Sequence, residues 1–146
     1  MNDKSSSKGS REAGRPARAA RPQSARTHEV RIIGGEWKGT RLAVGDKPGL
    51  RPTPDRVRET LFNWLASLAG AGGGELPGWH CADVFAGTGA LGFEAASRGA
   101  ASVLMCEQDP ALVAQLKTVQ ARLGAKTVRV GRGNRARGRL RRRFGP

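Results

Sequence analysis

Two carboxylates and a run of glycines carry the chemistry legible in this sequence. Residues 83–92 read Asp83-Val84-Phe85-Ala86-Gly87-Thr88-Gly89-Ala90-Leu91-Gly92, with the spacing G-x-G-x-x-G at 87–92, and Glu107 stands 20 residues after Gly87. Glycines at this spacing let a backbone turn tightly and approach a ligand closely. An acid at the end of the next strand can accept hydrogen bonds from the vicinal hydroxyls of a ribose. The ligand class is therefore a nucleotide-bearing cofactor. Asp83 narrows the choice. In a dinucleotide site the glycine turn faces a pyrophosphate, an anion. A carboxylate four residues before Gly87 would repel that anion but attract the amine and sulfonium of S-adenosylmethionine. S-adenosylmethionine is the expected cofactor, with NAD as the alternative. The contacts expected along the crevice are Asp83, Phe85, Ala86, Gly87, Thr88, Gly89, Leu91 and Glu107.

The elements that must position these residues follow from pattern. Residues 80–85 read as a strand, and a helix from about Ala90 to Arg98 follows the glycine turn. Ser102–Cys106 is the next strand. Asp109 caps a second helix, Pro110 opens it and Gly124 closes it. Thr127–Val130 is a third strand. The order β-α-β-α-β is the first half of a doubly wound parallel sheet of the α/β class. Upstream, Val30–Ile33 and Thr40–Val44 are short β-prone runs separated by Gly34-Gly35 and Gly39, which predicts a small hairpin. A helix then starts with Thr53 as N-cap and Pro54 in the first turn. Val57, Leu61, Trp64, Leu65 and Leu68 recur at helical spacing and form its expected apolar face.

Charge is concentrated at the ends. The net charge of the 146 residues is +14. Residues 1–31 carry eight Lys/Arg against three Asp/Glu, residues 125–146 carry nine against none, and the stretch between is neutral. Residues 1–29 are expected to be a disordered basic tail, because Ser, Arg, Ala, Gly and Pro cannot bury enough surface to offset their ordering entropy. Residues 131–146 form a second, Arg/Gly-rich basic tail. Tails of this kind attract a polyanion such as RNA, or are merely solvated. Cys81 and Cys106 lie in strand-like runs and are expected to be buried thiols of a cytoplasmic protein. No CxxC or His cluster supports a metal site, and no apolar run reaches the roughly 20 residues of a membrane span.

Four stretches taken in order carry a family resemblance. They are Arg31-Ile32-Ile33-Gly34-Gly35-Glu36-Trp37-Lys38-Gly39, Leu50-Arg51-Pro52-Thr53, Arg56–Leu65 and Asp83–Gly89. Over residues 30 to 124 the chain resembles the bacterial 16S ribosomal RNA guanine-N2 methyltransferases of the RsmD type. The resemblance implies a class I methyltransferase (Rossmann-like) fold with residues 30–130 as a partial S-adenosylmethionine-binding domain. It implies methyl transfer to the exocyclic N2 of a guanine in 16S ribosomal RNA or a small-subunit assembly intermediate. It adds Asn63 to the cofactor contacts and makes Arg31, Lys38, Arg51 and Arg56 candidate RNA contacts.

One part of that family pattern is missing. The family's catalytic signature is Asn/Asp-Pro-Pro followed by an aromatic residue, and this sequence has no Pro-Pro pair. No catalytic residue is therefore assigned. Apolar periodicity also stops after Val130, where Arg and Gly take over. A truncated or frame-shifted product of such a gene is the expectation, with a natural Arg/Gly tail as the alternative. A non-catalytic RNA-binding module is the competing reading of function.

Overall fold

The computed structural model describes residues 29–44 and 47–133. The two basic tails lie almost wholly outside these residues. The predicted hairpin forms from β1 (Glu29–Arg31) and β2 (Arg41–Ala43), antiparallel, with Val30 opposite Leu42. Those two side chains are buried and their neighbours exposed, as alternation requires. The Ile32 N–H donates to the Thr40 carbonyl and the Gly39 N–H to the Ile32 carbonyl, so pairing continues into the connecting loop.

Helix α1 spans Asp55–Leu68, and it departs from the sequence reading twice. Pro54, with ψ 147°, is the capping residue rather than Thr53, and no side chain caps the helix. The Thr53 carbonyl instead accepts from Arg58 Nε. The buried face is also rotated. Arg58, Phe62 and Ala66 are buried, whereas Val57, Trp64 and Leu68 are 54%, 67% and 80% exposed. The cause is Arg58, whose guanidinium is fully buried and bonded to interior partners. Satisfying that charge outweighs burying the apolar stripe, since an unpaired buried charge is the costlier error.

The second unit is a three-stranded parallel sheet in the order β3-β4-β5, built from His80–Asp83, Ser102–Glu107 and Val128–Arg132. Its crossovers are α2 (Ala90–Ser97) and α3 (Pro110–Leu123). Asp109 accepts from the Ala111 and Leu112 amides at the start of α3, and Gly124 ends it at φ 60°. Both caps are those expected from sequence. The register aligns Cys81 with Val103 and Val103 with Val128, and one row further along Asp83 with Met105. Phe93, Leu116, Val103, Met105 and Val128 form the core between this sheet face and the helices, and Val30, Ile32 and Leu42 of the hairpin join it. On the alternate face Ala82, Leu104 and Arg129 lie side by side, and two of the three are exposed. The architecture is thus the expected half of a doubly wound sheet, preceded by a hairpin and helix.

The hairpin and α1 are joined to the sheet unit by one buried carboxylate. Glu94 of α2 is completely inaccessible, as is Arg58. Glu94 Oε2 accepts from the Ile33 amide at 2.9 Å and Arg58 Nη1 at 3.4 Å, and Oε1 accepts from the Gly34 amide at 2.9 Å and Arg98 Nε at 2.8 Å. Arg98 also donates to the Gly74 carbonyl and packs over the Phe62 ring, 5.2 Å from its centroid.

Two outcomes follow from this arrangement. Glu94→Ala leaves Arg98 without a carboxylate partner and Arg58 with that of Asp55 alone, and should lower unfolding free energy by about 3–5 kcal/mol in urea titrations. Among the described residues no strand pairs with the outer edge of β3, near exposed Val84 and Phe85, and α1 exposes Val57, Trp64 and Leu68. The 146-residue chain should therefore self-associate, with a sedimentation coefficient that rises with concentration. A monodisperse monomer across that range would contradict this.

A candidate cofactor crevice at the ends of β3 and β4

The glycine turn lies between the end of β3 and the start of α2, so it sits at the carboxyl edge of the sheet, where open α/β folds bind ligands. Each glycine has a separate physical task. Gly87, at φ 53°, makes the turn, and a Cβ there would press on Leu50 at 3.3 Å. Gly89 caps α2 at φ 81°, and a Cβ would fall 2.6 Å from Leu116 and 2.7 Å from Phe93. Gly92 lets α2 settle on the sheet, because a Cβ would lie 2.5 Å from Met105. Two of the three are thus demanded by packing as much as by any ligand.

The two carboxylates fasten the turn. Asp83 Oδ2 accepts from the Gly92 amide at 3.1 Å. Glu107 Oε2 accepts from the Gly87 amide at 2.9 Å, and Oε1 accepts from the amides of Gln108 and Asp109 at 2.7 and 3.0 Å. The Ala86 amide donates to the Cys106 carbonyl, which ties the turn to β4. Burial pushes the Asp83 carboxyl above its ordinary range; amides of Gly92 and Phe85 partly offset this, and the nearby charge of Glu107 adds to the rise. Burial likewise raises the Cys81 and Cys106 thiols, which are free.

A groove of about 330 Å³ opens beside Asp83. Leu61, Leu65, Cys81, Val84, Phe85 and Leu91 supply apolar walls, and Asp83 is its one charged lining residue. Phe85 is 88% exposed at the rim, while Ala86, Thr88 and Gly89 are buried within the turn. The structure therefore brings Asp83, Phe85, Leu91 and Gly92 together on the groove, whereas Ala86, Gly87, Thr88, Gly89 and Glu107 lie outside its lining, with Glu107 bonded to the turn from the next strand. Asn63 is not among the groove residues; it is exposed on α1 with Oδ1 directed toward Gly74. Arg31, Lys38, Arg51 and Arg56 are all exposed, on β1, its loop, the approach to α1 and the first turn of α1. Arg31 and Asp55 form a salt bridge at 3.7 Å, which places β1 beside that first turn. The buried trio Arg58, Glu94 and Arg98 was not singled out from sequence. Its available signal was Glu94, the one charged residue within the apolar α2 segment.

Among the described residues no helix is long and apolar enough to cross a membrane, and no group of His, Cys, Asp and Glu is placed to hold a metal ion. The fold is that of half of a class I methyltransferase (Rossmann-like) domain. Residues 30–143 match the family described as Conserved hypothetical protein 95, and the chain belongs to it. The match runs past Val130 into the Arg/Gly-rich segment, so the resemblance does not stop where the composition changes. The chain is 48% identical over 114 residues to "Ribosomal RNA small subunit methyltransferase D" of Escherichia coli K12, covering 78% of this chain and 54% of that protein. It is 51% identical over 92 residues to the protein of the same name from Haemophilus influenzae, covering 61% and 42%. Among solved structures it resembles "Putative methyltransferase yhhF from Escherichia coli", with TM-score 0.60, 48% identity and coverage of 70% and 51%. These relatives bear out the resemblance to RsmD-type proteins read from the motifs. The chain spans about half the length of the curated relatives it matches.

Asp83→Asn, which keeps the shape and removes the charge, should weaken S-adenosylmethionine binding about tenfold or more by calorimetry. In the parent chain affinity should fall as pH drops through the raised Asp83 pKa, a loss that begins above the ordinary carboxyl value of 3.8. The sign follows from ionisation, because only the carboxylate attracts the ligand's ammonium. The substitution should abolish this pH dependence. Unchanged affinity would remove Asp83 from the site.

Proposed function

We propose that this chain carries the cofactor-binding half of an S-adenosylmethionine-dependent enzyme that methylates guanine N2 in 16S ribosomal RNA, in the cytoplasm. The observation that carries the reading is Asp83, a half-buried carboxylate that is the one charge on an apolar groove beside a glycine turn. Such a groove fits a ligand with a methylene chain, a sulfonium and an ammonium group. It suits pyrophosphate poorly, which argues against the NAD alternative. The names of the Escherichia coli and Haemophilus relatives, ribosomal RNA small subunit methyltransferases, point the same way.

The chemistry divides between the cofactor and the chain. Bound S-adenosylmethionine supplies an electrophilic methyl group on sulfur. Asp83 would hold the ammonium end, directly or through water. Glu107 already accepts three amide hydrogen bonds, so its remaining lone-pair capacity is what a ribose hydroxyl would meet. Leu61, Leu65 and Phe85 would exclude water from the methylene chain. Taking up that methyl group, guanine N2 would have to give up a proton. We assign that proton to none of the described residues, and the Pro-Pro signature is not in the sequence. The domain division, with residues 30–130 as the cofactor unit between two basic tails, belongs to the same reading.

The test is transfer of radiolabelled methyl from S-adenosylmethionine to undermodified small-subunit RNA, run beside cofactor binding and RNA binding. Cofactor binding with methyl transfer that is weak or undetectable is the expected result. Salt-dependent RNA binding without any cofactor binding would instead favour the non-catalytic module.

A further inference from the structure

The loop between β1 and β2 is fastened to α2 far more tightly than a hairpin requires. Strands of three residues can be closed by a two-residue turn. Here the connection is longer, and five hydrogen bonds join it to α2. The Ile33 and Gly34 amides donate to Glu94 at 2.9 Å each. The Trp37 amide donates to Ser97 Oγ at 2.9 Å, and that hydroxyl donates to the Gly34 carbonyl at 2.6 Å. The Glu36 amide donates to the Ser97 carbonyl at 2.8 Å. Contact is so close at Gly35, φ +79°, that a Cβ would lie 1.9 Å from the Ser97 oxygen.

The opposite end of α2 frames the crevice through Gly89 and the Gly92–Asp83 hydrogen bond. Eight residues of helix span about 12 Å. One short rigid rod therefore holds the crevice at one end and the loop at the other. The loop presents exposed Lys38, which makes no salt bridge among the described residues, two positions from exposed Glu36; exposed Arg31, paired with Asp55, and exposed Arg56 lie on the adjoining elements and supply the remaining positive charge. Ordering an exposed loop costs about 1–2 kcal/mol per residue in backbone entropy, so this fastening offsets a substantial penalty.

We propose that Ser97 and Glu94 are positioning residues that hold the Gly34–Gly39 loop as a fixed RNA contact, set one helix length from the cofactor crevice. The inference rests on the RNA-directed reading given above. Neither residue touches cofactor or RNA; each acts through the loop.

The test uses the full chain, with an unmodified 16S ribosomal RNA transcript and S-adenosylmethionine as separate probes. Circular dichroism establishes that each variant is folded. Ser97→Ala removes the hydroxyl bridge and should weaken RNA binding about fivefold or more while cofactor affinity stays within twofold. Gly35→Ala should have at least as large an effect on RNA; if it fails to fold, Ser97→Ala decides. Lys38→Ala should reduce the salt dependence of RNA binding by about one unit of slope. Combined with Ser97→Ala it should add little, since a displaced loop has already lost that contact. Folded Ser97→Ala protein that binds RNA like the parent would overturn the proposal. So would RNA and cofactor affinities that fall together, or additive losses in the double variant. A parent chain that binds cofactor but no RNA would sink the RNA reading itself, and this inference with it.

Discussion

The carboxylate of Glu94 is the interaction on which the arrangement of this molecule depends. It is fully buried, yet it accepts from two backbone amides and two guanidinium groups, so its charge and its lone pairs are both satisfied. Three elements distant in sequence meet there: the hairpin loop, α1 and α2. A buried ion pair that exchanges water for exact partners gains little net energy, but losing one partner is severe. Such a group therefore specifies geometry more than it adds stability. Its effect is visible in α1, where Arg58 turns inward and the stripe of Val57, Trp64 and Leu68 turns outward.

The cofactor crevice follows a related principle. Asp83 and Glu107 are candidate ligand-binding groups, yet each is already bonded to the backbone of the turn it helps to form. Their hydrogen bonds hold the turn before any ligand arrives, which limits the reorganisation that binding requires. Gly89 and Gly92 serve the same end by letting α2 approach Leu116 of α3 and Met105 of β4. The G-x-G-x-x-G pattern here is as much a record of helix–sheet packing as of ligand approach. Asp83 bears the consequence, because its burial raises its pKa.

Among the described residues, helices and hairpin cover one face of the sheet, and the alternate face and the β3 edge are open. The groove beside Asp83 lies next to that edge and is bounded by α1, whose outward stripe continues the apolar surface. The chain's relatives are about twice as long as the region they share with it. The candidate crevice lies within the shared half.

Local signals were sufficient for much of this. The order of strands and helices, the Asp109 and Gly124 caps of α3, the glycine turn, and the positions of Asp83 and Glu107 at neighbouring strand ends all follow from residue type and short-range spacing. They could be read because each depends on backbone conformation or on periodicity within about twenty residues. The face of α1, the place of Asn63 away from the groove, and the meeting of Arg58, Glu94 and Arg98 could not. Helical periodicity records where apolar side chains lie around an axis, but not which face a distant carboxylate will claim. That depends on contacts between residues 36 or more positions apart, such as Arg58 with Glu94 and Gly34 with Ser97. Sequence alone determined that a glycine turn follows β3 and that carboxylates stand at the ends of β3 and β4 beside it. Only the tertiary structure decided how the hairpin and α1 are held against it, because buried charge satisfaction is settled in three dimensions.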